Sequence, residues 1–135
     1  MNYEEISKDV VANLYKSYGH LKNSPLNQEL RILVELLISQ TNGCAYCCSL
    51  HTNEATKLEI STKKIEEIRN WTISVCFSKA EKLAFSWAEA ITSLDANHNS
   101  IKQELSSYFS DREIVDLALC IALMNALNRI AISLK

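Results

Sequence analysis

The sequence predicts an all-α protein, a helical bundle, and three observations carry that prediction. Apolar residues recur at i, i+3 and i+4 over most of the chain, which is the period of a helix and not of a strand. Its 135 residues include only 2 Gly and 1 Pro, so little interrupts the pattern. Ser78, Ser100 and Ser110 are each followed three positions later by Glu81, Gln103 and Glu113. In that capping-box spacing the third residue reaches back to the cap N–H. At this length, with 47% hydrophobic residues, a single domain over 1–135 with its own core is expected.

The elements follow in order. Ile6, Val10, Val11, Leu14 and Tyr18 recur at helix spacing, and Gly19 is the expected stop. Lys22 to Pro25 reads as a loop. Leu26 to Thr41 is a strongly apolar helix ended by Asn42-Gly43. A helix from Cys44 to about Lys57 follows, and Ser61 caps a short amphipathic one through Ile65 and Ile68 to Trp71. The three capping boxes start helices over 79–93, 101–109 and 111–134. Only Thr72 to Phe77 competes as a strand, and it is short. No internal repeat, low-complexity segment or linker is visible.

The last helix is apolar nearly all round. A membrane span needs about 20 nearly uninterrupted apolar residues. Asp116, Asn125, Asn128 and Arg129 interrupt this one, so a span is excluded. Such a helix needs cover on every side. A subunit interface would supply it, as would a central place in the bundle. Asn125, Asn128 and Arg129 are then expected to find hydrogen-bond partners in the core or at the interface.

A net charge of −2 gives no electrostatic reason to expect nucleic acid or an anionic membrane as partner. Glu4 and Glu5 stand where a basic signal region would be, and no apolar segment follows them. Five cysteines are an odd number without the spacing of a secreted scaffold. The expected compartment is a reducing cytoplasm, where disulfides are usually catalytic or redox-sensing.

The chemistry concentrates in Cys44-Ala45-Tyr46-Cys47-Cys48-Ser49-Leu50-His51. On a helix, Cys44, Cys47, Cys48 and His51 share one face. Cys47 and His51 are an i,i+4 pair, and such pairs are neighbours. An imidazole beside a thiol can take its proton, and the thiolate is the reactive species. The second thiol can close a disulfide on what the first one forms. Burial of cysteine as a small hydrophobe is the plainer alternative. A metal site is disfavoured, because Cys44 and His51 are about 10 Å apart along a helix axis and no second ligand pair exists. Position favours Cys44 as the more acidic thiol, since it begins the helix; spacing to His51 favours Cys47. Cys48, i,i+4 from Cys44, is a competing disulfide partner. Cys76, Cys120, Trp71 and Trp87 read as core, and His20 and His98 as solvated loop residues.

Gln40-Thr41-Asn42-Gly43-Cys44-Ala45-Tyr46-Cys47 with His51-Thr52 resembles the carboxymuconolactone decarboxylase-like superfamily, in particular its AhpD-type alkylhydroperoxidase branch. Lys79 to Phe85 leading into Trp87-Ala88-Glu89-Ala90 resembles that family's mid-domain helix. Asp116 to Arg129 resembles its closing helix, so the likeness covers roughly 25–134. It implies an AhpD-like all-α bundle in a homo-oligomer, often a trimer or hexamer. It implies a thiol peroxidase that needs no cofactor or metal. The substrate would be a hydroperoxide or disulfide, and the thiol reductant stays unnamed. Cys47 takes the role of the peroxide-attacking thiol, Cys44 that of the resolving thiol, and His51 that of a proton relay with a Glu. The family's relay Glu lies twelve residues before the first Cys, where this chain has Ile32. Glu35, one turn on, is the nearby carboxylate that either substitutes or is solvated surface. The decarboxylase branch lacks the CxxC, which points away from lactone decarboxylation. A disulfide oxidoreductase with weak peroxidase activity and a non-enzymatic redox-sensing module are the alternative functions.

Overall fold

Ten consecutive residues of one helix, Leu30 to Ser39, are buried, and the other elements are arranged around them. The computed structural model describes all 135 residues and contains no strand. Its helices are α1 (Tyr3–Ile6), α2 (Lys8–Leu21), α3 (Gln28–Asn42), α4 (Ala45–Lys57), α5 (Thr62–Glu67), α6 (Lys79–Ser93), α7 (His98–Leu105) and α8 (Asp111–Leu134). A 3₁₀ turn, Ile68–Asn70, follows α5.

The central helix is α3, with α4, α6 and α8 packed against it. Asn27 caps it, its side-chain oxygen accepting the Leu30 N–H at 3.0 Å. Ile32, Leu33, Leu36 and Leu37 join Phe85, Leu117 and Ile121 in the main apolar cluster. Phe85 anchors the α6 side, 5.1 Å edge-on from Phe77 and 6.0 Å from Trp71 between ring centres. Burial also takes in Arg31, Glu35 and Ser39, a polar i, i+4, i+8 stripe that faces the site described below.

A central place in the bundle is one option the sequence leaves for α8, and the structure gives that place to α3. One stripe of α8 is buried: Ile114, Leu117, Ile121, Met124, Asn128 and Ala131. The opposite side leaves Val115, Leu119, Ala122 and Ile132 exposed. Asn128, fully buried, finds partners in Asn42 and Ser39. Asn125 binds Thr92, Asn42 and Arg129.

Local details differ from the sequence reading for identifiable reasons. Gly19 does not stop its helix, which runs on to Leu21, because an interior Gly costs only about 1 kcal/mol and Leu21 is buried. Ser100 is not a cap: Asp95 accepts the Asn97 N–H at 2.7 Å, and α7 starts earlier, at His98. The Ser100 hydroxyl instead donates to the Asn97 carbonyl. Ser61 sits at an N-cap but makes no capping hydrogen bond. Both other capping boxes, Ser78 with Glu81 and Ser110 with Glu113, are closed. Thr72 to Phe77 is a run of turns and bends, with Ile73 and Val75 facing outward. Ile6 and Val10 also point outward, whereas Tyr3 and Val11 are buried.

Candidate active site

The turn between α3 and α4 builds the site. Gly43 takes φ +73°, a left-handed conformation that Gly adopts without strain. The Cys44 N–H then bonds the Ser39 carbonyl at 3.0 Å and the Gly43 N–H the Gln40 carbonyl at 3.2 Å, which closes a Schellman motif. Asn42 pins the turn to α8, donating to Asn125 and Asn128 at 3.0 Å each. Cys44 therefore emerges as the N-cap of α4, and its sulfur accepts the Cys47 N–H at 3.3 Å.

Cys44 and Cys47 are joined as a disulfide with Cα atoms 5.3 Å apart, packed on Ala131. Cys48 is free, half-buried and turned towards the edge of the main core. Burial pushes its thiol up, against the opposing effect of Arg69. Cys120 is buried, as the sequence suggests, while Cys76 is only half-buried beside Ser74 and Glu67.

One turn along α4, His51 is enclosed. Its Nδ1 lies 3.3 Å from Glu35 Oε2 and 3.6 Å from Glu54 Oε2, in neither case with the alignment of a hydrogen bond. Its Nε2 lies 3.3 Å from Met124 Sδ. Glu35 is 0% exposed, so its reading as solvated surface is overturned. Its Oε1 accepts from Arg31 Nη1 at 2.7 Å and from the Cys120 thiol at 3.5 Å; its Oε2 accepts from the Tyr18 hydroxyl at 2.8 Å. Burial, reinforced by Glu35, pushes the Tyr18 phenol well above its ordinary range, so it stays a donor. Burial likewise raises the Cys120 thiol. The polar contact with His51 holds the Glu54 carboxyl below its usual range. Ile32, where the resemblance implies a relay Glu, sits in the main apolar core.

A cavity of about 280 Å³ opens beside the disulfide. Cys47, His51, Met124, Tyr3, Tyr15 and Tyr18 are among its lining residues, most of which are hydrophobic. The Tyr15 hydroxyl donates to Glu4 at 2.8 Å, closing α1 onto α2 over this space. Tyr46 also lines it, with the Lys135 ammonium 3.3 Å from the ring centre. Glu35, His51 and Glu54 present donor atoms all within 4.8 Å of one another, a spacing a small cation could bridge.

Cys44, Cys47, His51 and Glu35, the four residues singled out in the sequence, are thus brought together. Arg31, Tyr18, Glu54, Met124 and Cys120 were missed. Two of these carry a local signal: Arg31 is i,i+4 to Glu35, and Glu54 is i,i+3 from His51. Tyr18, Met124 and Cys120 arrive through packing of α2 and α8, which no short-range pattern announces.

Comparison with known proteins places these features. The model of the carboxymuconolactone decarboxylase family matches residues 10–90. The chain is 28% identical to the uncharacterized protein YdfG of Bacillus subtilis (strain 168), over 99% of this chain and 92% of that protein. Among solved structures, ATU0492 from Agrobacterium tumefaciens superposes with a TM-score of 0.92 at 27% identity, over 98% of this chain and 92% of that one. That protein is described as of unknown function and assigned provisionally to antioxidant defence as AhpD. An uncharacterized peroxidase-related protein from Silicibacter sp. TM1040 has a TM-score of 0.81 at 23% identity, over 90% of this chain and 66% of that one, and so shares the fold.

Proposed function

The chain belongs to the carboxymuconolactone decarboxylase family, and within that AhpD-like fold we propose that it reduces organic hydroperoxides with a thiol pair. The observation that carries this reading is the closed Cys44–Cys47 disulfide on the wall of an apolar cavity that also holds His51.

In the reduced protein, His51 Nε2 faces the cavity and takes the Cys47 thiol proton, while Nδ1–H points to the Glu35 carboxylate. The Cys47 thiolate attacks the outer oxygen of ROOH. The O–O bond breaks, and the departing RO⁻ takes the proton back from His51 and leaves as ROH. Cys47 is left as a sulfenic acid. Cys44 then attacks its sulfur, water leaves, and the disulfide forms. Two electrons pass from two thiols to the peroxide, and an external dithiol returns them. Arg31, Tyr18 and Cys120 hold Glu35 in place for His51. The tyrosine-rich lining favours a substrate with an apolar body over hydrogen peroxide.

The protein works as a homo-oligomer in a reducing compartment. The exposed Val115, Leu119 and Ala122 stripe on α8 supports the first point, since an apolar helix face gains by being covered.

Stopped-flow mixing of the reduced protein with cumene hydroperoxide tests the reading. Two thiols per chain should disappear for each alcohol formed, and Cys47→Ser should abolish the reaction. A rate no faster than that of a free thiol, with disulfide exchange retained, would replace this function with the disulfide oxidoreductase.

A further inference from the structure

We propose that Glu35, His51 and Glu54 form a binding site for a divalent transition ion of the zinc class. The reasoning starts at Met124. A thioether accepts a hydrogen bond and cannot donate one. Its Sδ lies 3.3 Å from His51 Nε2, a contact best served when the ring carries its proton there. The other nitrogen, Nδ1, then points a lone pair at two carboxylate oxygens, 3.3 Å and 3.6 Å away. His51 is 1% exposed. Its Nδ1 is enclosed without a hydrogen bond, and so is Glu54 Oε2. In that tautomer three electron-rich atoms converge, and a metal ion is the positive centre that joins them; in the other tautomer, the one the peroxide reading uses, an Nδ1–H takes the ion's place.

The spacing suits the ion. Zinc holds His nitrogen at about 2.0–2.1 Å and carboxylate oxygen at about 2.0–2.2 Å, usually in tetrahedral geometry. Neighbouring ligands in such a shell stand roughly 3.3–3.5 Å apart, against the 3.3 Å and 3.6 Å found here. One nitrogen with two oxygens suits zinc or its transition-metal neighbours, whereas calcium and magnesium prefer oxygen alone. Glu35 is already oriented by Arg31 and Tyr18, the kind of outer contact that fixes metal-bound carboxylates. Arg31 offsets one carboxylate and leaves the charge of Glu54 for the ion. The Glu54 side chain is 27% exposed, which gives the ion an edge to enter by and a place for water as a further ligand.

An ion on Nδ1 leaves the ring proton on Nε2. His51 then cannot accept the Cys47 proton, and Glu35 is engaged elsewhere, so zinc would hold the thiol pair idle. That consequence rests on the peroxide reading; the ion site itself does not.

Titration of the disulfide form with Co²⁺ tests the site without any turnover. One ion per chain should bind with visible d–d absorption, lack a sulfur-to-metal charge-transfer band, and be displaced by Zn²⁺. Glu54→Gln lies at a partly exposed position, and its fold can be checked by circular dichroism. It should weaken binding on the order of ten-fold or more. In wild type, Zn²⁺ should shift the His51 Nδ1 resonance of ¹⁵N-labelled protein. No uptake at submillimolar Co²⁺, unchanged affinity in Glu54→Gln, or a thiolate charge-transfer band would overturn the site. Tight binding with no effect on the peroxide reaction would support the site and count against the proton relay through His51.

Discussion

Replacing Glu35 by Gln keeps the size of the side chain and removes its charge. Glu35 is 0% and Arg31 2% exposed, with 2.7 Å between their polar atoms. Two unit charges at about 4 Å interact by about 4 kcal/mol at an effective dielectric constant of about 20. Removing one member of a buried pair typically costs about 3–5 kcal/mol, because the other stays charged and unpaired. Domains are stable by about 5–15 kcal/mol, so Glu35→Gln should fold but lose a large share of its stability. Urea unfolding measures the loss. Arg31→Met added to Glu35→Gln should recover most of it, since an apolar pair of similar volume is often neutral in place of a buried ion pair. The peroxide rate should behave otherwise. Loss of a proton-relay group costs about 10²–10⁴-fold, and the double variant should remain slow. A stability loss under about 1 kcal/mol would refute the buried-pair argument. Recovery of rate along with stability would show that Glu35 acts only through folding.

Other outcomes are expected from separate parts of the molecule. Leu119→Glu should lower the mass seen by light scattering without unfolding the chain, because Leu119 is 49% exposed on the apolar side of α8; a wild-type monomer at micromolar concentration would dispose of the oligomer. Leu94 holds φ 57° and is 88% exposed, so Leu94→Gly should stabilise the end of α6 by about 0.5–1 kcal/mol in thermal unfolding. For Asp116, burial acts to raise the carboxyl, but hydrogen bonds from Ser24 and Arg112 outweigh it and hold it below its ordinary range. Its contribution is therefore complete above the unfolded pKa and is lost as pH falls through the lower folded value. Asp116→Asn should flatten the acid limb of stability against pH.

The sequence makes the Cys–His cluster legible because Cys44, Cys47 and His51 lie within two turns of one helix, where spacing fixes proximity. Legibility ends where partners come from afar. Tyr18 and Cys120 reach Glu35 across 17 and 85 positions. The option of a central place for α8 has a similar origin. Its composition is more apolar than that of α3, which carries Arg31, Glu35, Ser39 and Gln40. Yet α3 is the enclosed helix, because its polar groups find partners inside: Glu35 for Arg31, and Asn128 for Ser39. Hydropathy measures what burial would gain and says nothing about whether a polar group will find its hydrogen bond.

The same reasoning explains how a buried carboxylate can stand at position 35 when the AhpD resemblance places the relay carboxylate at 32. On a helix, three positions amount to a rise of about 4.5 Å and a rotation of roughly 60° from a full turn, so residues 32 and 35 border the same region of α4. Ile32 fills the apolar side of that border, among residues of the main core. Glu35 takes the polar side, where His51 descends from α4 and Arg31 waits one turn back on α3. A carboxylate at 35 without that arginine would be buried beside Leu36 and Cys120 with its charge uncompensated, at a cost of several kcal/mol. Arg31 and Glu35 therefore stand or fall as one pair in physical terms. Moving the charge back by Ile32→Glu should fail on its own, because the glutamate would enter the apolar core with Arg31 still held by Glu35. Ile32→Glu combined with Glu35→Ile should also unfold more readily than the native pair, unless a cation reaches position 32. Urea midpoints of the two variants decide the matter, and a double variant as stable as wild type would mean that the core accepts charge at either position.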